Sequence, residues 1–167
     1  VWLGVGLYPG GYDVHQTYMA HGLIRRGEEI WQYAFNSEEY HSGKHQKSDR
    51  RAIFRTVTRL DRFVAAESPY EREARLRSRP LVFSGRRLLL NVDTAASGWL
   101  QAGLVRADGS TIPGFGLDDC VYVNGNELRY AVEWLGRGTD VSTLAGQEVR
   151  IVIRMRGTRL FGLQFEP

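Results

Sequence analysis

The run Glu148-Val149-Arg150-Ile151-Val152-Ile153-Arg154-Met155-Arg156 decides the fold. Val149, Ile151, Ile153 and Met155 fall on one side of an extended chain. Glu148, Arg150, Arg154 and Arg156 fall on the other, with Val152 the exception. A helix repeats every 3.6 residues and would scatter this set around its axis; a strand repeats every two and gathers it. The run therefore predicts a strand with one dry and one wet face, the habit of antiparallel sheets. Arg156-Gly157-Thr158-Arg159 then reads as a tight hairpin turn. The returning strand is expected to put Phe161, Leu163 and Phe165 on its core face.

The same rhythm extends upstream. Leu128, Tyr130, Val132 and Trp134 alternate with Arg129, Ala131 and Glu133, and Leu88, Leu90 and Val92 with Leu89, Asn91 and Asp93. Leu100, Ala102 and Leu104 run toward Ala107-Asp108-Gly109-Ser110, where Asp-Gly suits a turn that needs positive φ. Ala74, Leu76 and Ser78 alternate with Arg75, Arg77 and Arg79, which argues against a helix over 70–77. Seven to nine strands are predicted after Leu60, enough for a two-layer antiparallel β-sandwich, jelly-roll-like. The first third is also strand-like. Arg25-Arg26-Gly27-Glu28 reads as a turn, and Trp31, Tyr33 and Phe35 share a face opposite Ile30, Gln32 and Ala34. Residues 42–49 read as a polar loop and 52–60 as the next strand. The predicted organisation is all-β, with a blade-sized hairpin segment over 1–60 and an antiparallel sandwich over 61–167.

Composition sets outer limits. Of 167 residues, 43% are hydrophobic and 25% charged; Trp 4, Tyr 8 and Phe 7 are enough rings to build a core. The net charge of +3 is too mild to point to nucleic acid, and no apolar run reaches the length that spans a bilayer. The expectation is no nucleic-acid and no membrane partner. One cysteine, Cys120, excludes an internal disulfide framework. The opening Val1-Trp2-Leu3-Gly4 has no initiator Met and no basic leader, so a cut or processed piece of a longer polypeptide is expected, with the rest of that polypeptide as a partner.

Several stretches resemble one family. Tyr18 to Phe35, "YMAHGLIRRGEEIWQYAF", is similar to the last-blade hairpin of glycosidase-like five-bladed propellers of the furanosidase type. Arg55 to Ser68, "RTVTRLDRFVAAES", resembles their link into a C-terminal sandwich. Leu81 to Cys120 and Val132 to Phe165 resemble the sandwich itself. The resemblance implies the C-terminal part of a larger glycoside-hydrolase-like protein, in an extracytoplasmic setting. Its catalytic acids would lie on earlier blades, so no catalytic residue transfers to this chain. A fold of this kind hosts many functions, so activity rests on individual residues.

Glycoside hydrolysis needs two carboxylates flanking one bond. Glu28-Glu29 and Asp118-Asp119 are adjacent pairs, and neighbours in extended chain point to opposite faces. Asp118-Asp119 follows Gly114-Phe115-Gly116-Leu117 and reads as a loop acid fixing backbone amides; with Asn124 it offers oxygen ligands for calcium, but without EF-hand spacing. His15, His21, His41 and His45 form no strong zinc motif. No Gly-x-Ser-x-Gly elbow, phosphate loop or dinucleotide fingerprint occurs. Cys120 reads as a small buried hydrophobe. No catalytic residue, metal ligand or cofactor is expected.

Sugars are held by ring faces and polar donors. Trp99, after Ala95-Ala96-Ser97-Gly98, is expected at a loop edge and is a carbohydrate-binding candidate beside a core-rim role. The resemblance adds His21, near the propeller axis, and Trp31, between blades. Arg75, Arg77, Arg79, Arg150, Arg154, Arg156 and Arg159 are expected to form a basic outer face, solvated or holding acidic polysaccharide. The leading expectation is an accessory, sugar-contacting β-sandwich that is not catalytic alone. The alternatives are an autonomous carbohydrate-binding module and a small metal-dependent hydrolase built on the N-terminal histidines.

Overall fold

The computed structural model describes residues 7–8, 12–13, 16–38 and 51–167. The chain divides into two compact units, Val1–Phe63 and Val64–Pro167. The architecture is all-β and the ladders are antiparallel, with one 3-10 turn among the described residues, at Ser142–Leu144. Among the described residues no helix is long and apolar enough to cross a membrane.

In the first unit, β1 (Leu7–Tyr8) pairs with β2 (Tyr12–Asp13). A second sheet contains β3 (Gln16–Met19), β4 (Ile24–Arg26), β5 (Glu29–Ser37) and β6 (Arg51–Arg59). β5 is central. β3 and β4 share one edge of it, and β6 runs along the whole of the other. Gly27, at φ 61°, makes the β4–β5 turn in the left-handed region that other residues resist. Register places Tyr18, Phe35 and Ile53 in one cross-strand row and Ile24, Trp31 and Val57 in another. That face is partly open: Ile53 is 77% exposed, while Trp31 and Phe35 are half-buried. The opposite face buries Ala34 and Asn36.

The second unit contains β7 (Ala66–Ser68), β8 (Ala74–Arg77), β9 (Leu81–Val82), β10 (Arg87–Arg106), β11 (Asn126–Ala131) and β12 (Glu148–Glu166). These six strands are fewer than the sequence predicts, because two of them are very long. β12 pairs with β10 along its length, while β7, β8 and β9 line its other edge. β11 pairs with the first half of β10.

The hairpin expected at residues 156–159 does not form. The chain passes through Gly157 (φ 54°) and stays in the ladder with β10. Thr94 opposes Thr158, and Trp99 opposes Arg156, so residues 95–98 bulge opposite Gly157. The bulge turns a corner. Gly98 lies so close to Gly157 that a Cβ there would overlap the Gly157 carbonyl oxygen. Beyond the corner the parity of burial flips: Val149, Ile151, Ile153 and Met155 are buried before it, Thr158 and Leu160 after it. A second slip follows, where Asn91 opposes Gly162 but Val92 opposes Leu160, leaving Phe161 over. So Leu160 takes the core place predicted for Phe161, and Leu163 is 39% exposed.

One contact proves how sharply the ladder folds. Leu81 opposes Val149 at the start of β12, yet Phe83 stacks on Phe165 near its end, with ring centroids 3.8 Å apart. An extended strand of that length would separate its ends by about 3.3 Å per residue. The two halves of the β10–β12 ladder therefore double back into facing layers. Between them lies one core that takes Leu88, Leu90 and Val92 from one half and Leu100, Ala102 and Leu104 from the other. Trp134 is fully buried there, its Nε1–H donating to the Ala102 carbonyl at 3.0 Å.

Candidate functional site

The outer face of the sandwich is set by register. Side chains of β10 that alternate with the core set are Trp99, Gln101 and Val105, with Gly103 between them. Opposite them on β12 stand Arg156, Arg154, Val152 and Arg150, and beyond β12 the strand β8 sets Arg75 beside Arg154 and Arg77 beside Val152. The predicted basic face is thus a row-by-row property of three strands.

Gly103 admits the second wall. A Cβ at that position would lie 2.9 Å from the Leu117 amide nitrogen and 3.1 Å from the Gly116 carbonyl carbon. Only a residue without a side chain lets that loop cross the strand so closely. The loop is anchored inside by Phe115, edge-on to Trp134 at 5.6 Å. It is locked by Asp119, whose Oδ2 accepts the Gly116 N–H at 2.9 Å, the amide-fixing role expected of this acid pair. Asp118 points outward, its side chain 92% exposed, and accepts from Arg154 Nη2 at 2.8 Å. The same Nη2 donates to Gln101 Oε1 at 2.7 Å. Gln101, itself buried, donates to the Cys120 carbonyl at 3.1 Å. Arg154 is held on two acceptors and is preorganised at the surface.

Gly116, Leu117, Asp118 and Asp119 of that loop border a cleft of about 660 Å³. Val105, Val152 and Leu117 give it apolar lining, Arg75 and Arg77 stand along β8, and Asp118 and Asp119 stand on the loop. The volume is within the usual range for small-ligand sites. Trp99 adjoins the same cluster: it is half-buried, edge-on to Tyr122 at 5.4 Å, with the Arg154 guanidinium carbon 6.0 Å from its ring. Tyr122 is 58% exposed. The arrangement can present an aromatic edge, fixed charged donors and carboxylate acceptors together.

The other sequence candidates lie elsewhere. His21 is exposed in the bend between β3 and β4, and Trp31 is half-buried on β5. The Trp31 ring has the Arg55 guanidinium at 3.8 Å and that of Arg26 at 5.2 Å, and its Nε1–H donates to Glu29 at 2.8 Å. No described bond joins His21 to Trp31. Both belong to the first unit and Trp99 to the second. Asn124, weighed with Asp118 and Asp119 as a cation ligand, instead donates to the Gly98 carbonyl at 2.7 Å and to Thr94. Among the described residues no group of three or more His, Cys, Asp or Glu is placed to hold a metal. His15, His41, His45 and the loop over 42–49 lie outside the described residues.

Cys120 is buried, and burial pushes its thiol up to about 11. The thiol sits against the Ala102 amide at 3.3 Å as a packing group. Sequence reasoning singled out Trp99 as a candidate and expected the basic outer face. It missed that Gln101, Arg154 and Asp118 act as one chain of bonds, and that Tyr122 joins Trp99. Cross-strand register, which no local pattern encodes, supplies both.

No family model, curated protein or solved structure matches the chain.

Proposed function

We propose that the Val64–Pro167 unit is an accessory β-sandwich of a glycoside-hydrolase-like protein that contacts carbohydrate and is not catalytic alone. The observation that carries this reading is the juxtaposition of Trp99 and Tyr122 with Arg154, whose partner Asp118 lines the cleft. A sugar ring offers an apolar C–H face and a rim of hydroxyls. It needs an aromatic surface beside fixed donors and acceptors, which is this set. Each acid of the cleft is fixed through one oxygen, Asp118 Oδ1 by Arg154 and Asp119 Oδ2 by the Gly116 amide, with its second oxygen left to accept from a hydroxyl, which suits recognition better than proton transfer.

The first unit supports the same reading. The sheet is three strands across, since β3 and β4 share one edge of β5, and its face exposes Tyr18, Ile24, Ile53 and Val57, the kind of apolar surface a blade-like sheet would lay against a neighbour. In this reading the rest of the parent polypeptide supplies the neighbouring blades and the catalytic acids.

Glycan-array binding of the purified chain tests the reading. Binding that falls at least tenfold in Trp99→Ala, with the melting temperature held, is the expected result. An array with no bound glycan, or binding indifferent to Trp99→Ala and Tyr122→Ala alike, removes it.

A further inference from the structure

We infer that the cleft takes an anionic sugar, one bearing a uronate carboxylate or a sulfate ester, and that Arg75 and Arg77 capture its charge. The inference rests on the carbohydrate reading above and goes further, by naming the ligand class.

The arginines of this unit are mostly spoken for. Arg86, Arg87, Arg129, Arg154 and Arg159 are in ion pairs. Arg106, Arg150 and Arg156 donate to backbone carbonyls, and Arg137 lies over the Phe115 ring. Arg72, Arg75, Arg77 and Arg79 have no hydrogen-bond or ion-pair partner among the described residues, and of these only Arg75 and Arg77 line the cleft. They stand two residues apart on β8, so their side chains leave the same face with Cα atoms about 6.6 Å apart. Arg75 is also directly opposite Arg154. Like charges opposite each other cost stability unless something offsets them. Asp118 neutralises Arg154 and leaves the β8 pair uncompensated.

Two open guanidinium forks are suited to bidentate capture of a planar carboxylate or of sulfate oxygens. Val105, Val152 and Leu117 give the ring an apolar bed next to them. Asp118 and Asp119 then set a limit on charge density. They accept from hydroxyl groups and repel a ligand that is negative along its whole length, such as a nucleic acid. The fit is to a sugar chain with separated negative groups.

The test is an array of uronate-bearing, sulfated and neutral oligosaccharides, followed by titration of the best ligand and of a single-stranded oligodeoxynucleotide. The full chain is compared with Arg75→Gln/Arg77→Gln, Arg75→Lys/Arg77→Lys and Trp99→Ala. Expected are preference for acidic over neutral sugars and weakening by added salt. Affinity should fall at least tenfold in the glutamine variant, with partial recovery in the lysine variant and unchanged melting temperatures. The uronate and sulfate arms tell which anion is captured. Equal binding of neutral and acidic sugars, lost only in Trp99→Ala, overturns this inference and leaves the carbohydrate reading standing. Acidic binding that survives the glutamine variant also overturns it, as does tighter binding of the oligonucleotide. A blank array overturns both.

Discussion

The two units spend the same alternation in different ways. On β5, Trp31, Tyr33 and Phe35 face one side and Gln32, Ala34 and Asn36 the other, so neither side is purely apolar. The rings face a partly open side, while the buried side ends on polar groups: Asn36 Oδ1 and Thr17 Oγ1, directly opposite each other, are buried without a described partner. On β10 and β12 the alternating set is almost wholly aliphatic, and a bend makes the ladder cover itself. Alternation alone makes a face. Burial needs something to lay against it, and the sandwich provides that from its own chain.

The strongest way to break this contrast is to remove Trp134. It is fully buried, edge-on to Phe115 and bonded to the Ala102 carbonyl. Trp134→Ala should cost about 3–5 kcal/mol, from lost burial, a cavity and an orphaned acceptor. Hydrogen exchange followed by mass spectrometry should show amides in 88–104 and 148–160 losing protection. If 16–37 lost as much as the sandwich, the contrast between the units would fail.

The corner is the next target. Gly98→Ala drives a Cβ into the Gly157 carbonyl, a backbone neighbour that cannot rotate away. About 1–3 kcal/mol of destabilisation is expected by overpacking. Gly22→Ala is the control: its φ is 91°, but nothing lies within 4 Å of the added atom. It carries only the cost of the backbone conformation, about 1 kcal/mol. Denaturant midpoints should rank the two variants in that order.

These corners also mark where sequence reading stops. The pattern from Glu148 to Met155 was legible because side-chain parity is local. Trp134 was legible as core for the same reason, and Ala107–Ser110 as a turn, with Gly109 at φ 93°. The hairpin at Gly157 was misread because a glycine of positive φ serves a bulge as well as a turn, and only the partner strand decides between them. Once the parity slipped there, Leu160 and Phe161 exchanged roles. The cleft was half legible: the arginines were visible as a face. The absence of a side chain at Gly103, which lets the 116–119 loop across, means nothing until the loop is seen.

A smaller effect is expected in the first unit. Trp31 is half-buried with two guanidinium groups over its ring. Each such contact at an exposed site is worth about 0.5–1 kcal/mol. Trp31→Ala should therefore cost far less than Trp134→Ala, read as a small midpoint shift with the protection of 88–104 and 148–160 retained. A loss as large as that of Trp134→Ala would mean the ring is core after all.

Acid sharpens the comparison most gently, because it acts on the sandwich through its turns and spares its core. Asp108 accepts the Ser110 N–H at 2.7 Å, and Asp140 accepts the Ser142 N–H at 2.8 Å. In each case that backbone bond is the main cause, joined by the serine hydroxyl, of a carboxyl held below its ordinary value. A carboxyl lowered in the folded state contributes stability that is complete above its unfolded value, near 4, and is lost as pH falls through the folded one. These two groups should leave stability flat from pH 7 to about 5 and reduce it below about 4. Asp108→Asn and Asp140→Asn keep an acceptor at each turn but remove the titration. Their stability should fall less between pH 4 and 2 than that of the parent, with the difference in exchange confined to 106–111 and 140–145. Both residues are exposed, so salt should shrink the effect further. A parent and variants that lose stability in parallel over that interval would place the acid-sensitive groups elsewhere than in these turns.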